Sequence, residues 1–132
     1  MTMLTKAPER PIDTIGIKRA YEGRGRGDGL RILVERLWPR GLPKADAHID
    51  VWLKEIAPST ELRKWYAHDV ERWPEFKKRY QAELRANADA VAGLRTLCER
   101  GPATFVYAAH DEQHNSAVVL RAFIGRRMSR PK

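Results

Sequence analysis

The chain has 132 residues, of which 42% are hydrophobic and 32% charged, and a formal net charge of +8. That length suits one domain burying about two-thirds of its unfolded surface. The composition excludes a disordered, collagen-like or membrane-spanning chain, because no apolar run approaches about 18 residues.

A single cysteine, Cys98, excludes an intramolecular disulfide framework and a cysteine-only metal site. Residues 1–10 lack the apolar stretch that a signal peptide needs, so the expectation is a cytoplasmic protein with no membrane partner. The charge is uneven, at +5 over residues 1–44, −2 over 45–112 and +5 over 113–132. Basic ends of this kind favour an anionic partner such as a phosphate ester, a nucleic acid or an acidic protein. The plainer reading is a solvated basic surface and a basic C-terminal tail at 125–132.

In chain order, residues 14–21 alternate apolar and polar side chains and predict a first strand. Residues 22–29 hold four glycines and predict a loop. Residues 30–38 predict a second strand stopped by Pro39 and Gly41. Asp46 is placed to cap a short helix through Ile49, Trp52 and Leu53, ending before Pro58. Ser59 predicts the N-cap of a helix carrying Leu62, Trp65 and Tyr66.

Pro74 fits the first turn of a helix whose apolar face is Phe76, Tyr80 and Leu84. Asn87 or Asp89 restarts it, and Val91, Leu94, Leu97 and Cys98 continue the stripe to a stop at Gly101-Pro102. Residues 103–109 carry no charge and predict a strand buried on both faces. Residues 115–126 predict a last helix with Val118, Val119, Ala122 and Phe123 on one side.

This order predicts a single α/β domain over 1–132, with an ordered core at about 13–126. Its sheet is small and mostly parallel, of three to four strands flanked by helices, in a Rossmann-like three-layer arrangement. The second and third strands are separated by helices, so a right-handed crossover is the natural topology. The first connection is short enough that a hairpin stays open as an alternative.

Several stretches carry a resemblance: VERLWPRG at 34–41, WLKEIAPS at 52–59, LRKWYAHD at 62–69, FKKRY at 76–80 and HNSAVVL at 114–120. Through them the sequence resembles the YeaO-like family, a branch of a larger domain of unknown function. The resemblance spans residues 15–120 and implies a small cytosolic α/β protein with a parallel sheet, and no activity. Members are sometimes labelled transcriptional regulators. Here the best helix-turn-helix candidate, 59–68 with 74–86, presents Trp65, Tyr66 and Trp73 instead of a polar reading face.

The candidate site combines Arg36 and Arg40, after the second strand, with His110, Asp111, His114 and Asn115, after the third. Parallel strands deliver both sets to one carboxyl edge, where open α/β sheets bind ligands. The last helix begins there with its positive end. Arg36 and Arg40 have the fork geometry to clamp an oxyanion, and on a straight strand the two share a face. His114 and Asn115 would orient the ligand.

The expectation is therefore a small anionic or phosphate-bearing ligand. A nucleic-acid-binding module and a non-catalytic protein-interaction domain are the alternatives. His110 and His114 have the spacing of a zinc helix, but the ligands that remain are too few, so no metal and no cofactor is expected. His68-Asp69 reads as an acid–base pair or, more plainly, as a helix end. Cys98 reads as an inert core thiol. Oligomeric state and reaction are not legible.

Overall fold

The computed structural model describes residues 15–129, with side chains as far as Gly125. The expected core boundary at 13 and the end of the basic tail at 130–132 lie outside the described residues.

The strands are β1 (Ile15–Arg19), β2 (Leu30–Leu33), β3 (Val51–Trp52) and β4 (Ala103–Tyr107). They form one sheet in the order β1-β4-β2-β3, and every pairing is parallel. The helices are α1 (Lys44–Ala47), α2 (Thr60–Tyr66), α3 (Trp73–Ala86), α4 (Ala88–Arg100) and α5 (Ser116–Ser129). The chain is thus an α/β protein.

β4 lies between β1 and β2, and all five of its residues are buried. A run without charge can occupy that place because both of its faces are covered. Strand alternation sends Ile15, Ile32, Phe105 and Tyr107 to one face, where they meet Leu62, Tyr66, Phe76, Tyr80, Leu94 and Leu120 of the helices. The other face presents Ala20, Leu33 and Val106 to Trp38, Leu42, Ile49 and Trp52. That third layer is built from loops around the single-turn helix α1.

Local signals set most helix ends. The Ser59 side chain accepts a hydrogen bond from the Leu62 N–H at 3.1 Å, the N-cap that starts α2. Pro74 occupies the first turn of α3, and α4 stops at Gly101. The hairpin alternative for the first connection is excluded. β1 and β2 are both parallel to the β4 strand between them, so residues 20–29 run back across the sheet. Gly29 ends that passage at φ 62°, and a Cβ there would run into the carbonyl of Pro102. The Leu30 N–H donates to that carbonyl at 3.0 Å.

Two expectations are corrected. The helix expected from Asp46 to before Pro58 is instead α1, a left-handed His48 (φ 52°), strand β3 and a 3₁₀ turn at Lys54–Ile56. The N–H groups of Asp50 and Leu53 donate to the carbonyls of Arg31 (2.9 Å) and Leu33 (3.0 Å). Pairing with β2 thus takes the donors that a helix would have used. The spacing of Ile49, Trp52 and Leu53 is too short a pattern to tell the two apart.

The second strand ends at Leu33 rather than Trp38. Its last pairing is Val34 N–H to Val106 O at 3.1 Å, after which β4 itself ends. Arg36 and Arg40 therefore stand on a loop and not on a shared strand face.

Candidate functional site at the carboxyl edge of the sheet

All four strands point the same way, so the loops following β1, β2 and β4 meet at one edge. Arg19, the last residue of β1, donates from Nε to Ala109 O (2.9 Å) and from Nη2 to Ala108 O (3.4 Å). Its guanidinium lies 4.9 Å from the centre of the Tyr21 ring. The Tyr21 hydroxyl in turn donates to Arg40 O at 2.8 Å. One continuous chain, Arg40–Tyr21–Arg19–Ala109, thus ties the loop after β2 to the loop after β4.

Glu35 makes a second tie. Its carboxylate accepts from the Ala108 N–H at 3.0 Å, and its carbonyl accepts from Trp52 Nε1 at 2.7 Å. Desolvation pushes the Glu35 carboxyl above its ordinary range, outweighing the Ala108 amide and the Arg63 charge, which pull it down. Arg36 donates to Pro58 O (3.2 Å) and Ala57 O (3.1 Å), holding the turn that leads into α2.

The segment before α5 folds on itself. Asp111 accepts from the N–H groups of Gln113 (2.9 Å) and His114 (3.0 Å), and its other oxygen lies 2.9 Å from His114 Nδ1. These bonds hold the Asp111 carboxyl below the usual carboxylate range. Asn115 caps α5, accepting from Val118 N–H at 3.1 Å, while its amide donates to Asp111 O at 2.8 Å. Tyr66 O–H donates to His114 O at 3.1 Å, and Trp73 stands edge-on to the His114 ring at 5.2 Å. Burial, together with the Asp111 and Asp69 charges, raises the Tyr66 hydroxyl above its ordinary value.

Of the expected site residues, Asp111, His114 and Asn115 are brought into one hydrogen-bonded unit. Arg36 is on the same edge but spends its donors on backbone carbonyls. Arg40 is exposed there, on the loop that contributes Trp38 and Leu42 to the layer opposite the helices. His114, by contrast, packs with Tyr66 and Trp73 on the helix side. His110 is exposed. Among the described residues no group of three His, Cys, Asp or Glu is arranged to hold a metal ion.

His68 and Asp69 close a helix. Asp69 accepts from Glu71 N–H (3.1 Å) and lies 3.5 Å from Arg72. Ala67 and His68 both take positive φ, at 47° and 59°, a conformation that non-glycine residues adopt at some cost. Cys98 is buried on α4.

Sequence reasoning missed Arg19, Glu35 and, above all, Arg31. Arg31 is fully buried and donates to Asp28 Oδ2 (2.8 Å), to the carbonyls of Glu22 (3.0 Å), Ala47 (3.1 Å) and His48 (3.1 Å), and weakly to Gly23 O (3.5 Å). It pins the glycine-rich loop and α1 beneath the sheet. An arginine at the centre of the apolar run Leu30–Leu33 was the available signal, since a buried guanidinium must have every donor satisfied.

The fold and this edge define a small α/β protein with a parallel sheet and an arginine-rich carboxyl end. The sequence matches the family described as the inactive DUF488-N3 subclade over residues 14–132, and the chain belongs to that family. It is 42% identical over 106 residues to the uncharacterised protein YeaO of Escherichia coli K12, covering 80% of this chain and 92% of that protein. It is equally 42% identical over 113 residues to an uncharacterised protein of Mycobacterium tuberculosis H37Rv, covering 86% of this chain and 95% of the relative. No solved structure matches. Among the described residues no helix is long and apolar enough to cross a membrane.

Proposed function

We propose that this is a non-catalytic binding protein that takes up a small oxyanion or phosphate-bearing ligand at the carboxyl edge of its sheet. One observation carries the reading. Arg19 at the end of β1 and Arg36 and Arg40 on the loop after β2 stand at a single edge, and none has a carboxylate ion-pair partner among the described residues. Arg40, exposed and with its donors unspent among the described residues, is suited to hold an anion bidentately, while Arg19 and Arg36, bonded to backbone carbonyls, add positive charge beside it. The start of α5 adds a favourable dipole at the same edge. The word "inactive" in the description of the matching family supports binding over catalysis.

Phosphate or sulfate is expected to raise the melting temperature of the wild-type protein in a saturable way. Arg40→Ala, an exposed change, is expected to fold normally and lose most of that response. Equal responses from the two proteins would sink the reading. A diffuse basic face would instead lose little on Arg40→Ala and would show a steep salt slope with nucleic acid.

A further inference from the structure

On the face opposite the helices, a groove of about 270 Å³ is lined by Trp38, Lys44, Ile49, Asp50, Val51 and Trp52. Its walls are fixed in place. The two indoles meet edge to face, with centres 5.4 Å apart. Each N–H is already spent on a backbone carbonyl, Trp38 on Leu42 O and Trp52 on Glu35 O, both at 2.7 Å. The rings therefore offer apolar surface and ask for no further hydrogen bond, as a wall for a flat ligand should.

The charges around the groove decide its sign. Asp50 is neutralised by Arg24 at 2.9 Å and accepts the Arg31 N–H at 2.8 Å. Lys44 lies 5.9 Å from the Trp38 ring centre and Lys54 lies 4.3 Å from that of Trp52. Neither lysine has a carboxylate partner among the described residues. Lys44, which lines the groove, is thus left without an ion pair over aromatic walls, and Lys54, outside the lining, adds a second positive charge beside Trp52.

We propose that this groove binds a planar aromatic ligand carrying an acidic group, its ring against Trp38 and Trp52 and its anion at Lys44 and Lys54. Its volume suits one ring system and not a dinucleotide, being at the small end for ligand pockets. Aromatic carboxylates and mononucleotides share this chemistry. None of Arg19, Arg36 and Arg40 lines the groove, although Trp38 stands on the loop that carries Arg36 and Arg40.

The test follows the indole N–H signals of Trp38 and Trp52 by ¹H–¹⁵N NMR, assigned with Trp→Phe variants. Indole-3-acetate, uridine monophosphate, tryptamine and inorganic phosphate are titrated in turn. At least one of the two aromatic anions is expected to shift both signals saturably. Whichever binds tighter identifies the acid as carboxylate or phosphate. Lys44→Gln, an exposed change, is expected to weaken that binding about tenfold, the loss of one charge-assisted contact. Arg85→Gln, on a helix of the other face, should leave it unchanged. The proposal is overturned if neither aromatic anion shifts the signals, if tryptamine or bare phosphate shifts them as strongly, or if Lys44→Gln binds as the wild type does.

Discussion

Arg31 and Asp28 show how much one residue can organise. Asp28 is 6% exposed and receives Lys18, Arg31 and the Gly25 N–H, at 3.1, 2.8 and 2.9 Å. Burial pushes its carboxyl up, but these three donors outweigh it and hold the carboxyl at about 2, against an ordinary 3.8. A depressed acid stabilises the fold above its unfolded value and loses that contribution as pH falls through its folded value. Stability should therefore drop by about 2 kcal/mol between roughly pH 5 and pH 2 on account of this group. Asp28→Asn should remove that part of the pH dependence, as read by urea unfolding at a series of pH values. Arg31→Ala leaves a buried carboxylate and several carbonyls without their donor, and should cost about 3–5 kcal/mol in the same measurement. A loss below about 1 kcal/mol would show that water replaces the guanidinium.

At the scale of elements, the start of α2 rests on a reciprocal pair. Ser59 caps the helix and also donates its hydroxyl to Glu83 Oε2 at 2.6 Å, while its N–H donates to Glu83 Oε1 at 2.8 Å. This links α2 to α3 and positions the turn whose carbonyls hold Arg36. Ser59→Ala should cost about 1–2 kcal/mol, the usual loss of a cap plus one charge-assisted bond. Thermal unfolding checks this, and an unchanged melting temperature would refute the cap's importance. The cap was legible because N-capping is a local contest between a side chain and the next three amides. Strand β3 was not, because its donors are claimed by β2, some twenty residues away in the chain.

For the whole molecule, the parallel sheet sends three loops to one edge and so brings together residues far apart in sequence. Expecting Arg36, Arg40 and the segment 110–115 at one edge needed only the parallel topology. Which of them retain free donors depended on packing: Arg36 turned inward to Ala57 and Pro58, and Arg19 joined the edge unforeseen. Because no set of three metal-ligating side chains is assembled among the described residues, chelation with EDTA should leave the melting temperature unchanged. A fall reversed by zinc would instead implicate His110 and His114.

The sequence by itself determined what nearest neighbours in the chain decide. It placed the burial of β4 through an uncharged run, the cap at Ser59, the start of α3 around Pro74 and the stop at Gly101-Pro102. The cap, the helix start and the stop are each settled within about one turn of backbone, where propensity and capping act without the rest of the fold, whereas the uncharged run of β4 only required that both its faces be covered. Only the tertiary structure decided that residues 51–52 form a strand, that Arg31 is buried beneath the glycine-rich loop, and that His114 meets Asp111, Tyr66 and Trp73. In those places the partners of hydrogen-bonding and charged groups lie across the sheet or on another helix, and an unpaired buried donor is too costly for local preference to prevail.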